Sequence, residues 1–159
     1  MDSKLKNYLD RYGIKYKSHG HPAIFTVEEG KKLKENVPGL HCKTLFLKDD
    51  KGMFYLIGMP AEKRLDTKKL KEFLGVRKLH FGSEEELKEE VSLIPGSVSI
   101  FGAIYIKDKK VKLIIDKEVW DAEIVGFHPN VNTATLEIKH NDLKKFYDCL
   151  KYGKEIIEL

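Results

Sequence analysis

The spacing of apolar residues along the chain changes period several times, and each change predicts an element. Leu5, Tyr8, Leu9 and Tyr12 recur at helical spacing, with Ser3 placed to cap that helix and Gly13 to close it. A short strand is expected over Ile14 to Ser18, and His19-Gly20-His21-Pro22 reads as a bend. Thr26, with Glu29 three residues on, has the pattern of a capping box, which predicts a helix from Val27 to about Glu35, broken by Val37-Pro38-Gly39. Cys42 to Leu47 and Met53 to Met59 are β-prone runs joined by the turn Asp49-Asp50-Lys51-Gly52. A helix over Thr67 to Leu74, stopped by Gly75, precedes a short strand from Lys78 to Phe81. Ser83 and Glu86 form a second capping box, with a helix to about Val91. Ala103 to Ile106 and Val111 to Ile115 are expected to pair as a hairpin. Asp116 should cap a helical turn through Trp120, and Asn141 should cap a last helix through Tyr152.

One stretch departs from plain alternation. Glu123 to Phe127 enters as a strand, and Ala134, Leu136 and Ile138 leave with period two. Between them lie His128, Pro129, Asn130, Asn132 and Thr133. A simple turn between strands needs two to five residues with Gly or Asn-Gly at the bend. This loop is richer in donors and acceptors than that, so it reads either as a site held by two strands or as a turn whose Asn and Thr bond their own backbone. Seven or eight short strands interleaved with four or five helices predict a mixed α/β or α+β domain, its sheet too interrupted to be doubly wound.

Composition adds bounds. The 159 residues are 42% hydrophobic and 34% charged, enough for one domain with a proper core. The balance of 29 basic and 25 acidic residues, +4 overall, permits a polyanionic partner without requiring one. Cys42 and Cys149 stand far apart, which excludes disulfide, zinc and redox motifs and suggests reduced cytoplasmic thiols. No signal peptide or apolar membrane-spanning run is found.

Familiar catalytic signatures are missing. The chain has no Gly-x-Gly-x-x-Gly, no phosphate-cradling Gly-x-x-x-x-Gly-Lys and no Gly-x-Ser-x-Gly elbow. His19 and His21 lack a third ligand at metal spacing and read as turn residues. Cys42 with His128 as its base is a conceivable thiol pair, but a small buried hydrophobe on a strand is the simpler reading. Lys43 stands out because strand parity puts it on one face with Leu45 and Leu47. A charge there needs a partner or a wet cleft. Gly96, in Pro95-Gly96-Ser97-Val98-Ser99, can bring backbone N–H groups close to a ligand.

Three stretches together, His41-Cys42-Lys43-Thr44-Leu45-Phe46-Leu47, Pro95 to Gly102, and Phe127-His128-Pro129 through Asn132 and Thr135, resemble the free-standing aminoacyl-tRNA deacylases related to the editing insertion domain of bacterial prolyl-tRNA synthetase. The single-domain alanyl-tRNA(Pro) deacylases are the nearest subgroup. The segments from His21-Pro22 to Glu29 and from Leu65-Asp66 to Phe81-Gly82-Ser83 resemble it too. The resemblance implies a curved mixed sheet approaching a barrel, with helices packed around it. It implies hydrolysis of the ester joining a mischarged amino acid, usually alanine, to the 3′ end of tRNA(Pro), with no cofactor or metal. The implied partners are the tRNA acceptor end and, further, prolyl-tRNA synthetase. The family's catalytic positions fall on Lys43, Gly96 and His128, and its substrate-binding positions on Thr26, Thr44, Ser97, Ser99, Asn132 and Thr135. Two positions depart from the family pattern: Thr44 stands where Asn is common, and Ile100 where Pro is. Removal of cysteine or serine, or a non-catalytic tRNA- or amino-acid-sensing module on the same fold, is therefore the alternative.

Overall fold

The computed structural model describes residues 1–23 and 27–159. Among these, eight strands form one mixed sheet in the order β1-β7-β6-β2-β3-β5-β8, with β4 branching from β2. The strands are β1 (Lys17–Gly20), β2 (Leu40–Asp49), β3 (Phe54–Pro60), β4 (Leu79–Phe81), β5 (Val111–Asp116), β6 (Ile124–Phe127), β7 (Ala134–Lys139) and β8 (Lys154–Ile157). The helices are α1 (Ser3–Arg11), α2 (Val27–Asn36), α3 (Thr67–Leu74), α4 (Glu84–Val91), α5 (Lys117–Asp121) and α6 (His140–Cys149), with a 3-10 helix over Ile100–Tyr105. The mixed curved sheet with surrounding helices is the expected architecture.

Two apolar cores lie on opposite sides of the sheet. Phe54 and Leu56 of β3 point into the larger one with Leu5, Val91, Phe101 and Phe146, while Tyr55 and Ile57 point into the smaller one with Leu47, Leu70 and Ile114. Burial on both faces explains why β3 is a continuous apolar run instead of an alternating one.

Local chemistry sets several boundaries as expected. Ser83 and Glu86 bond each other's backbone reciprocally at the start of α4, Gly75 closes α3, and Asp116 caps α5; the cap of α3, Asp66, is supplied by the structure. Other expectations need correction. Asp2, not Ser3, accepts from the Lys4 N–H at the start of α1. The first strand is displaced to Lys17–Gly20, so His19 and Gly20 lie in it and not in a bend. The Ala103–Ile106 strand is part of the 3-10 helix, so no hairpin forms there, and β5 pairs parallel to β3 and to β8. α6 starts at His140 without a side-chain cap and ends at Cys149, leaving residues for β8. The Thr26 half of the first capping box lies outside the described residues.

The feature that positions a site is a break along one edge of β2. Its start, Leu40 and His41, pairs parallel with Val125 and Gly126 of β6. Its end, Leu47 to Asp49, pairs with Phe81 to Leu79 of β4. Between these two ladders Cys42 to Phe46 pair with no strand on that edge among the described residues. The Gly82 N–H, donating to the Phe46 carbonyl at 3.0 Å, closes one side. A Cβ at Gly82 would lie 2.3 Å from the Phe46 ring, so the chain can fold back this tightly only without a side chain.

Candidate active site

A cleft of about 350 Å³ opens at this break, within the range of small-ligand sites. Thr44, Phe46, Phe81, Leu87, Pro95 and Gly96 are among its walls. Thr44 and Gly96 thus meet, as the motifs require. The Thr44 hydroxyl is buried and, among the described residues, has no hydrogen-bond partner. Gly96 has φ +85°. In that left-handed region a side chain is strained, and here it would also approach the Asn132 amide nitrogen at 3.8 Å. The Pro95–Val98 loop and the loop after β6 therefore face each other, bringing Asn132 to the same place.

Lys43 and His128 are related by register. Lys43 and His128 each lie two residues beyond the last paired rung of the β2–β6 ladder, His41–Gly126. Parity puts both on the face away from the larger core, since Cys42, Phe46, Val125 and Phe127 pack into that core. Among the described residues Lys43 has no hydrogen-bond or ion-pair partner.

The His128 ring is fixed by its Nδ1–H, which donates to the Ala134 carbonyl at 3.1 Å. Burial, with the neighbouring His21 adding to it, holds the imidazole below its ordinary pKa of 6.5, against a smaller opposing contribution from the Ala134 carbonyl. Neutral His128 then presents Nε2 as an acceptor. His21 is the residue that sequence reasoning set aside as part of a turn. Its ring lies 6.2 Å from that of His128. Its Nδ1–H donates to the Pro22 carbonyl at 2.8 Å, so Nε2 accepts from the Thr135 hydroxyl at 3.0 Å. Its backbone N–H also donates to the Thr133 carbonyl at 2.9 Å. The end of β1 thereby braces the loop that carries His128, and Thr135 reaches the site through His21. The signal in sequence was the order His21…His128…Thr135, which local spacing cannot read.

Other expected residues are placed differently. Ser99 is fully buried and caps the 3-10 helix, accepting from the Phe101 N–H at 3.1 Å. Ser97 is buried beside Gly96, its N–H donating to the Ile94 carbonyl. Thr26 lies outside the described residues. Asn130 takes φ +61°, the conformation in which Asn serves turns, yet its buried amide has no partner among the described residues. Burial pushes the Cys42 thiol well above its ordinary range, and the side chain packs against the larger core. Its packing against the larger core and its Sγ–H donating to the Leu40 carbonyl at 3.4 Å favour the small-hydrophobe reading over a thiolate nucleophile. Among the described residues no group of three His, Cys, Asp or Glu side chains is arranged to hold a metal, and no helix is long and apolar enough to cross a membrane.

Comparison with known proteins places this geometry in a class. Residues 21–146 match the aminoacyl-tRNA editing domain family. The chain belongs to that family, whose enzymes hydrolyse the ester of an aminoacyl-tRNA. It is 36% identical over 153 residues to the prolyl-tRNA editing protein ProX of Acetoanaerobium sticklandii, covering 95% of this chain and 93% of that protein. It is 30% identical over 151 residues to the bovine (Bos taurus) prolyl-tRNA synthetase associated domain-containing protein 1, covering 92% and 88%. Among solved structures, a protein assigned by its similarity as a trans-editing enzyme for prolyl tRNA synthetase, a role not established for it, superposes with a TM-score of 0.75 at 18% identity, covering 100% of this chain and 98% of that one, which shows the shared fold.

Proposed function

We propose that this protein is a trans-editing deacylase that hydrolyses mischarged tRNA(Pro), with Ala-tRNA(Pro) as its substrate. The observation that supports this reading is the cleft at the break in the sheet, which Thr44 and Gly96 line and Asn132 approaches from the loop after β6; Lys43 and His128 lie on the adjoining stretches of chain, on the other face of the sheet. The likeness to a protein named for prolyl-tRNA editing, over nearly the whole chain, supports the choice of tRNA.

Each residue has a physical task. Lys43 offers an uncompensated cation to the phosphate of the terminal adenosine or to the ester end. Backbone N–H groups of the Gly96 loop stabilise the oxyanion formed as water attacks the ester carbonyl. The Nε2 of His128 accepts from a hydroxyl of the terminal ribose and holds it in place. The ribose hydroxyl assists proton transfer, which accounts for a site without an evident general base. The Thr44 hydroxyl finds its missing partner on the bound aminoacyl end. Discrimination is steric: a pocket sized for alanine refuses proline, whereas small side chains are separated less sharply. Prolyl-tRNA synthetase is the proposed protein partner, as the source of the mischarged product. Release of alanine from Ala-tRNA(Pro), with Pro-tRNA(Pro) left intact, tests the reading. Hydrolysis of Pro-tRNA(Pro) at a comparable rate would refute it.

The acceptor role of His128 fixes the pH dependence. Its pKa is depressed in the folded protein, so the neutral ring persists as pH falls through 6.5. Measured against the uncatalysed rate at each pH, kcat/KM stays flat from pH 8 to 6.5 and declines only at more acidic pH. A decline centred above 6.5 would contradict a neutral acceptor. The linkage has the matching sign: the unfolded chain takes up the proton first, so folding stability from this site falls only as pH drops below 6.5.

A further inference from the structure

We infer that Phe81 is the stacking platform for the 3′-terminal nucleobase of the charged tRNA. The inference rests on the editing activity proposed above. Phe81 is 70% exposed, the most exposed of the large hydrophobic side chains among the described residues. A lone exposed apolar residue needs no explanation in general. Here its place is the explanation. Phe81 lines the rim of the cleft that holds Thr44 and Gly96. An aminoacyl group seated in that cleft leaves its ester-linked ribose at the mouth and the base one glycosidic bond beyond. Phe81 is the exposed aromatic ring at that point. Ile94, 63% exposed and next to Pro95 of the cleft wall, adds apolar surface at the same rim.

The platform is rigid. Phe81 ends β4, in register with Leu47 of β2, and the next residue, Gly82, donates its N–H to the Phe46 carbonyl. The backbone on both sides of the ring is thus tied to the strand that carries Lys43 and Thr44, so stacking requires little ordering of the chain. Charge sets the polarity of the nucleotide. The first turn of α4, beside Phe81, carries Glu84 and Glu85, which repel phosphate, while Glu86 is ion-paired with Lys48 at 2.6 Å. Lys43 lies on the same face of β2 as Leu47, Phe81's register partner, four residues or about 13 Å away. The base therefore lies over Phe81 while the phosphate runs toward Lys43. Stacking on a phenyl ring tolerates any base, so the 3′ terminus is recognised here by shape and not by sequence.

The test compares wild type, Phe81→Ala and Phe81→Trp in two assays. The first is deacylation of Ala-tRNA(Pro). Phe81→Ala is expected to raise KM about tenfold with kcat within about twofold, and Phe81→Trp to restore KM. The second is binding of an uncharged RNA hairpin ending in CCA, against the same hairpin with an abasic 3′-terminal nucleotide. Wild type should bind the CCA hairpin about tenfold more tightly than Phe81→Ala does, and the two proteins should bind the abasic hairpin equally. If Phe81→Ala matches wild type on the CCA hairpin, or if the loss persists on the abasic one, the inference is wrong, and the exposed ring belongs to a protein contact or to the fold. Should wild type hydrolyse no mischarged tRNA, the editing reading fails, while the hairpin comparison still decides the role of Phe81. Unchanged thermal melting of both variants, expected from the exposure of the ring, excludes misfolding as the cause.

Discussion

Replacing Lys43 by alanine is expected to lower kcat/KM for Ala-tRNA(Pro) deacylation by about 10²–10³, the cost typical of removing one group that stabilises developing or substrate charge. Thermal stability should hardly move. Lys43 makes no ion pair or hydrogen bond with the described residues, and its strand is anchored independently through seven register pairs with β3, from Cys42–Pro60 to Lys48–Phe54. Lys43→Arg keeps the charge but replaces a compact ammonium with a planar fork, so it should recover only part of the activity. Steady-state kinetics on the charged tRNA, with melting curves for each variant, checks this. Wild-type activity in Lys43→Ala would remove the residue from the site. Lost activity accompanied by a large fall in Tm would make its role structural.

The second large effect concerns the fold that holds Lys43 in place. Asp49, 2% exposed, ends β2 and accepts three hydrogen bonds: from the backbone N–H groups of Lys51 and Met53 at 2.8 and 2.9 Å, and from the Tyr55 hydroxyl at 2.7 Å. It locks the β2–β3 turn to the strand that fills both cores. Asp49→Ala strands all three donors, of which the Tyr55 hydroxyl is the most buried. The expected loss is about 3 kcal/mol, which for a chain of this size lowers Tm by roughly 10 °C. Asp49→Asn keeps one oxygen acceptor in place and should cost about a third as much. Chemical denaturation of the two variants tests the ranking; equal stability in Asp49→Ala and wild type would show that water replaces the carboxylate.

The elements legible in sequence are those whose ends are written locally. The Ser83–Glu86 capping box, the Asp116 cap and the Gly75 stop all stand where the residue pattern put them, because each is satisfied within four residues of chain. The misreadings have two causes: short apolar runs that fit a strand or a helical turn equally, and pairing between distant segments. Ile100-Phe101-Gly102-Ala103-Ile104-Tyr105 is a short apolar run, and burial alone cannot separate a strand from a helical turn in six residues. Ser99 decides the matter by capping a 3-10 helix. β8 is not legible in the residue pattern because Lys154 to Ile157 becomes a strand only through its parallel ladder with Leu113 to Asp116, some forty residues earlier. The site was legible in a similar way. Lys43 could be singled out by parity, because Leu45 and Leu47 beside it do face the smaller core. His21 could not, since its bond to Thr135 spans 114 residues. Phe81 looked like one more strand residue until β4 placed it on the rim of the cleft.

The central claim is that the break along β2 forms a site that removes alanine, and not proline, from tRNA(Pro). Deacylation measured side by side on tRNA(Pro) charged with alanine, cysteine, serine or proline tests it most directly. The account predicts that alanine is released with the highest kcat/KM, that cysteine and serine follow, and that Pro-tRNA(Pro) decays no faster than without protein. A clear preference for cysteine or serine would overturn the assignment of alanine. Tight binding of tRNA(Pro) with no hydrolysis of any of the four would contradict the account and leave a tRNA-sensing module in its place.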